Sequence, residues 1–154
     1  MAIRMNIKVE GVKEVNAMLE SKNRGITNSL EGAIRASLNV LQVSARRKVP
    51  VDTGALRRSI TKKLDWTGSS LRGIVGPTEP YGICVEKGTK PHFPPVGALR
   101  GWAGKRGINP YALAVAISRG GTEAQPYMEP TFEQKKDYVD RIIKTAVQRA
   151  ISIE

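Results

Sequence analysis

The sequence contains a single cysteine, Cys84, and a single histidine, His92. One cysteine excludes an internal disulfide and a structural zinc site with several thiolates, and one histidine excludes a histidine-rich metal site. Apolar runs are short, and none approaches the roughly 20 residues of a membrane-spanning helix. The N-terminal residues alternate apolar and polar side chains, unlike the continuous apolar block of a secretory signal. We therefore expect a protein that is made and used in the cytoplasm.

Acidic residues are scarce, because 14 Asp and Glu stand against 25 Lys and Arg, which gives a formal net charge of +11. A charge of this size predicts a negatively charged partner, either nucleic acid or an acidic protein surface. A basic surface that is simply solvated would have the same composition. The length of 154 residues fits one domain, which can bury a core without disulfides.

Hydrophobic periodicity predicts an α+β fold, in which an antiparallel sheet of about four strands packs against two long helices and several short ones. The long amphipathic helices are expected at about 26–48 and 130–151. Strands are expected at 3–9, 60–66, 71–76 and 81–85, the last with a helical turn as a close alternative. Short helices are expected at 12–19, 96–103 and 109–120, the last two within a Pro/Gly-rich segment of about 86–122.

Residues 49–60, with the sequence VPVDTGALRRSI, have the pattern of a joint between a helix and a strand. Pro50 ends the preceding helix, because proline lacks the amide that a helix interior requires. The side chains of Asp52 and Thr53 are expected to bond nearby backbone amides, and Gly54 permits a turn dihedral that other residues avoid. The basic residues that follow are expected to continue directly into a strand.

The triplet Asp52-Thr53-Gly54 also occurs in aspartic proteases, where two such carboxylates share a proton. This sequence contains no second Asp-Thr-Gly or Asp-Ser-Gly, although a homodimer could supply one. The protease triplet ends a strand in a hydrophobic context, whereas this triplet follows a basic helix and lies among five cations. The pattern therefore favours a turn over a protease.

Cys84 and His92 could act as a thiol nucleophile and its base, but no third residue is identifiable that would orient the pair. A lone cysteine in an apolar run is typical of a small buried side chain, and His92 lies in a predicted loop. The glycines between 101 and 121 lack the lysine and the serine or threonine that complete a phosphate-binding loop. We therefore expect no enzymatic activity, no cofactor and no metal ion.

Basic residues concentrate in two clusters that could contact another subunit, a partner or DNA phosphates. The first cluster comprises Arg46, Arg47, Lys48, Arg57, Arg58, Lys62 and Lys63, and the second comprises Arg100, Lys105 and Arg106. No aromatic residue interleaves with the first cluster to stack on bases, and no zinc-finger or RNA-recognition signature is present. Nonspecific nucleic-acid binding and docking on an acidic protein are both compatible with these clusters.

The joint resembles the signature of the head–tail joining family of tailed bacteriophages, whose members are described as gene product 10-like proteins, neck proteins or tail components. The residues that carry this signature are Pro50, Asp52, Thr53, Gly54 and Leu56. Three later stretches, at 81–89, 92–103 and 124–132, are similar to the family in the same order. Gln125 stands where the family has a basic residue, and Cys84 where tyrosine is common. The resemblance covers roughly residues 10–150.

The resemblance implies a virion structural protein without enzymatic activity, placed between the portal-bound connector and the tail tube. Such proteins work as homo-oligomeric rings, and subunits of a closed ring meet head-to-tail through two different patches. The implied partners are further copies of the chain, the connector or head-closure protein, and the tail terminator or tube protein. Assembly is expected in the host cytoplasm without a membrane, and contact with packaged DNA is compatible with this position. The alternative is a nonspecific nucleic-acid-binding module that uses the 46–63 cluster.

Overall fold

The computed structural model describes residues 5–8, 23–67 and 70–152, and these residues form an α+β fold. Its antiparallel sheet contains β1 (Met5–Lys8), β2 (Ile60–Thr67) and β3 (Ser70–Pro77), in the spatial order β1-β3-β2. The helices are α1 (Asn23–Lys48), α2 (Ala55–Ser59), α3 (Gly82–Lys87), α4 (Val96–Gly104), α5 (Pro110–Gly120) and α6 (Glu129–Ile151). The sheet and α6 both pack against α1, which is therefore the centre of the fold.

Helix α1 forms where the sequence repeats apolar residues at three- and four-residue steps, as predicted for 26–48. The predicted apolar face is buried and comprises Ile26, Leu30, Ala33, Ile34, Leu38, Leu41 and Ala45. Three basic residues occupy the last turn, where they complement the negative end of the helix dipole. Pro50 follows directly, and the amide of Val49 still donates to the Ala45 carbonyl at 2.9 Å.

The predicted hairpin is present, with β2 and β3 in register from the Ile60–Pro77 pair to the Thr67–Ser70 pair. The face of β3 that carries the buried residues Leu71, Gly73 and Val75 packs on α1. A Cβ atom on Gly73 would lie 2.9 Å from Leu38 Cδ2 and 3.0 Å from Ile34 Cγ2. Glycine at this position therefore allows the helix to approach the sheet closely.

Residues 82–87 form helix α3, so the prediction of about four strands is wrong and the described sheet has three. The helical spacing places Gly82 and Glu86, four residues apart, on the buried side, and it leaves Cys84 exposed. The expectation of a buried Cys84 is therefore also wrong, because it assumed a strand in an apolar run. The predicted helix at 12–19 lies outside the described residues.

Residues 88–122, here called the arm, leave the body of the fold and return to the same point. At the base of the arm, Thr89 and Thr122 exchange backbone hydrogen bonds of 3.1 and 3.2 Å, and their hydroxyl groups lie 3.0 Å apart. Helices α4 and α5 fill the arm and pack on each other. Asn109 caps α5 as predicted, because its side chain accepts from the amides of residues 111 and 112.

The apolar spacing in α5 predicts a stripe of Leu113, Ala116 and Ile117. Ile117 is buried together with Ala114, whereas Leu113 is half-buried and Ala116 is exposed. Alanine carries too little apolar surface for its position to define a helix face from periodicity alone.

Glycine is required at both ends of the arm. Gly88 and Gly121 have φ angles of 69° and 74°, a region that residues with a side chain rarely adopt. A Cβ atom on Gly121 would lie 1.9 Å from the Thr89 carbonyl oxygen, and one on Gly88 would lie 2.3 Å from the Thr122 carbonyl oxygen. The two chain segments that meet at Thr89 and Thr122 can therefore approach each other only because Gly88 and Gly121 lack a side chain.

We expect Gly121→Ala to lower the free energy of unfolding by about 1–3 kcal/mol, because it combines a strained dihedral with a backbone collision. Gly101→Ala in α4 is the matched control, since a Cβ atom there meets nothing within 4 Å. The control is expected to be neutral or slightly stabilising, as alanine favours a helix over glycine. Urea unfolding followed by circular dichroism measures both, and equal effects of the two substitutions would contradict this account of the bridge.

Candidate functional site

The joint between α1 and β2 contains a left-handed turn followed by a short helix. Gly54 has φ 78° and ψ 3°, and the five-residue helix α2 begins directly after it. The Thr53 hydroxyl accepts a long hydrogen bond of 3.4 Å from the Ala55 amide, and the Thr53 carbonyl accepts from Arg58 Nη1 at 3.2 Å. Leu56 is buried in the main core. The basic segment leads directly into β2 at Ile60 as predicted, but the short helix over residues 55–59 was not predicted.

Asp52 connects the joint to the arm. Its Oδ1 atom lies 3.1 Å from Lys105 Nζ and 3.7 Å from Arg106 Nη1. The sequence predicted bonds to neighbouring backbone amides instead, but the carboxylate makes its described contacts with residues more than 50 positions away. Ion pairs between such partly exposed groups contribute only about 0–1 kcal/mol each, so we infer that they orient the arm more than they stabilise the fold.

Arg106 holds the turn between α4 and α5 through a second set of contacts. Its guanidinium lies 4.0 Å from the centre of the Trp102 ring, and Nη1 donates to the Trp102 carbonyl at 3.3 Å. A cation over an aromatic face adds roughly 0.5–1 kcal/mol at an exposed site. Asp52, Trp102 and Arg106 therefore form one chain of contacts from the joint to the end of α4.

Most of the first basic cluster is engaged within the molecule. Arg46 Nη2 donates to the Ile60 carbonyl at 2.8 Å, and Lys48 Nζ donates to the Pro130 carbonyl at 3.2 Å and to Gln134 at 2.6 Å. The remaining contacts join Arg58 to Thr53, Lys62 to Asn39, and Lys63 to Asp65. The side chains of Arg47 and Arg57 make no hydrogen bond or ion pair with another described residue, and the same holds for the side chain of Arg100 in the second cluster.

Glu86 lies in the 81–89 stretch that carries part of the family resemblance, but the sequence analysis assigned it no structural role. Its side chain is only 4% exposed, and its carboxylate accepts from the backbone amides of Tyr127, Met128 and Glu129 at 2.8–2.9 Å. These amides lie at the start of α6, whose N-cap residue provides no side-chain acceptor. A carboxylate supplied by α3 therefore satisfies the free amides of α6 and faces the positive end of its dipole.

Tyr127 fills the space between α3 and α6. It is fully buried, its hydroxyl donates to the Gly82 carbonyl at 3.3 Å, and its own carbonyl accepts from the Thr131 hydroxyl at 2.6 Å. Burial raises the pKa of Tyr127 to about 12, and the neighbouring Glu86 carboxylate adds to the increase. A Cβ atom on Gly82 would lie 3.0 Å from this hydroxyl, so the close fit also depends on that glycine.

The other candidate residues do not come together in the structure. Cys84 is exposed on α3, and His92 Nδ1 lies 2.9 Å from the Lys90 carbonyl oxygen rather than near the thiol. Among the described residues, no group of three or more His, Cys, Asp and Glu side chains is placed to hold a metal ion. No helix in the described ranges is both long and apolar enough to cross a membrane. The arrangement that the structure does form connects backbone elements to one another.

We expect Glu86→Ala to lower the free energy of unfolding by about 2–4 kcal/mol, because three amides lose a charged acceptor at a buried site. Glu86→Gln is expected to have a smaller effect, since one acceptor oxygen remains. Glu133→Ala, on the exposed face of α6, is the matched control and should change stability by less than about 0.5 kcal/mol. Thermal or urea unfolding compares the three variants, and a Glu86→Ala protein as stable as the control would refute the capping role.

The raised pKa of Tyr127 predicts a loss of stability at high pH. Its folded pKa of about 12 exceeds the unfolded value of 10.0, so its contribution is complete below pH 10 and is lost as the pH rises towards 12. Wild type is expected to exceed Tyr127→Phe in free energy of unfolding by about 1 kcal/mol at pH 8. This difference should decrease by about 1 kcal/mol between pH 9 and pH 11. Urea titrations of both proteins measure it, and a constant difference across this range would contradict the prediction.

Residues 7–88 match a family model described as "Bacteriophage HK97-gp10, putative tail-component". Neither the curated proteins nor the solved structures give a significant match. The matched range includes the joint, the hairpin, α3 and Glu86, and it ends where the arm begins. The resemblance noted at 92–103 and 124–132 therefore lies outside the match. Because the match covers more than half of the 154 residues, the chain belongs to the HK97-gp10-like family of bacteriophage tail components.

Proposed function

We propose that the protein is a structural, non-enzymatic component of the neck of a tailed phage or prophage. In this role it forms part of a homo-oligomeric ring that completes the tail and joins it to the DNA-filled head. The observation that carries the proposal is the family match over residues 7–88, which includes the signature joint. The finer position in the neck rests on the resemblance of the joint to head–tail joining proteins.

The architecture suits a subunit that must keep its shape under mechanical load. Glu86 connects α3 to α6, Lys48 connects α1 to α6, and the Thr89–Thr122 bridge closes the base of the arm. These contacts fasten segments that are far apart in the sequence. The arm then presents side chains away from a body that is held together by other residues.

The proposed partners are further copies of the chain, the connector or head-closure protein above the ring, and the tail terminator or tube protein below it. The net charge of +11 is suited to acidic protein neighbours and to the vicinity of packaged DNA. Five of the seven cations in the 46–63 cluster already contact groups within the chain. We therefore favour protein contacts over a role as a nucleic-acid-binding module.

Deletion of the gene tests this function. The lysate is expected to contain full heads and separate tails that do not join, and a plasmid copy of the gene should restore joined particles in electron micrographs. A plasmid with Cys84→Ala should restore them equally well, because the exposed thiol has no proposed role. Intact, infectious virions without the gene would overturn the proposal, and empty heads would place the protein at an earlier step than joining.

A further inference from the structure

The arm carries an unusual concentration of exposed apolar side chains. Phe93, Trp102, Ile108 and Tyr111 are 54%, 38%, 39% and 62% exposed. The rings of Phe93 and Tyr111 meet edge to face, with their centroids 6.1 Å apart, and Trp102 is held by Arg106. Large exposed side chains that are already ordered lose little conformational entropy on binding, and aromatic residues are enriched at protein interfaces. The arm therefore has the composition of a docking surface.

The charge of the arm is of one sign. Between residues 88 and 122 the sequence contains Lys90, Arg100, Lys105, Arg106 and Arg119, and no Asp or Glu. Lys105 and Arg106 pair with Asp52, whereas the side chains of Lys90, Arg100 and Arg119 are exposed and make no hydrogen bond or ion pair with another described residue. A partner that covers the apolar residues must therefore also supply negative charge.

The same chain provides such a surface on α6. Within the described residues, exposed acidic side chains recur on this helix at three- and four-residue steps, and they make no ion pair. These residues are Glu129, Glu133, Asp137 and Asp140, here called the acidic face, and Lys136 lies among them. No described ion pair joins the acidic face to the arm within one molecule, so the complementary charges of each copy remain available to another copy.

We propose that the arm of one copy docks on the acidic face of α6 in a second copy. Each subunit then uses two different surfaces, and contact between copies is head-to-tail, which is the geometry that closes a ring. This contact rests on the proposed function, because it assigns surfaces to the subunit interface of that ring. A second copy explains both unpaired surfaces at once, whereas DNA would pair with the arm but be repelled by the acidic face.

Charge reversal at residues without a described contact within the chain tests the docking. Arg100→Glu/Arg119→Glu reverses the arm, and Glu133→Lys/Asp137→Lys reverses the acidic face. Each double variant is supplied from a plasmid to phage that lack the gene, and the yield of joined, infectious particles is measured. Each is expected to lower this yield by about tenfold or more, because like charges now meet at the interface.

Recovery of the particle yield by recombined charges distinguishes the loss of this contact from other causes of failed assembly. A variant with all four substitutions recovers opposite charges at the interface, and co-expression of the two double variants does so between alternating copies. Both are expected to return the yield to near the wild-type level. The matched control is Arg72→Glu/Arg149→Glu, which changes the net charge by the same amount as the arm variant, at exposed cations outside the arm and outside both basic clusters. This control is expected to leave the yield unchanged.

Three results would overturn the docking proposal. The first is a wild-type yield from either double variant, and the second is a four-substitution variant as defective as the double variants. The third is an equal loss of yield in the Arg72→Glu/Arg149→Glu control, which would point to the net charge. Unfolding midpoints of the purified variants establish that each one folds. Failure of the proposed function is visible separately, because infectious virions would then form without any copy of the gene.

Discussion

The carboxylate of Glu86 lies where three separate parts of the chain meet. It belongs to α3, it accepts from the first amides of α6, and it directly precedes the base of the arm. Hydrogen bonds to a charged acceptor contribute about 1.5–3 kcal/mol each, and an unsatisfied buried amide costs a similar amount. The start of α6 is therefore fixed by a residue more than 40 positions earlier, and α6 in turn covers one side of α1.

Glu86 and Asp52 are both acidic, but they have different structural roles. Glu86 is buried and faces backbone amides, so its loss would leave polar groups without partners. Asp52 is partly exposed and faces two flexible cations. If Asp52 is lost, water can solvate these cations, so the loss of its ion pairs costs little stability. The first residue therefore stabilises the junction, whereas the second links the joint to the arm. The range that matches the family therefore contains a residue whose partners, Lys105 and Arg106, lie beyond that range.

Sequence patterns predicted α1, α6 and the hairpin, because apolar residues recur at a regular spacing along each of them. Short segments were predicted less well. Six residues at 82–87 are too few to separate a strand from a helix, and the five residues of α2 show no period at all. The role of Glu86 left no pattern in the sequence, because its partners are backbone amides that every residue except proline possesses. The contacts of Asp52 depend on a fold that brings residue 105 to the joint.

The closed base of the arm affects how the sequences of related proteins can differ. Because Thr89 and Thr122 meet, the chain leaves and re-enters the body at one point, and the ion pairs of Asp52 with Lys105 and Arg106 are the other described link between the body and the arm. Loop closure becomes costlier only slowly with length, so residues between the two threonines can be exchanged, lengthened or shortened at small cost. The arm can thus vary in sequence and length, while the residues that fold the rest of the domain stay the same. A related protein can therefore carry a different arm, matched to a different α6 surface on the neighbouring copy, and keep the residues that fold the body.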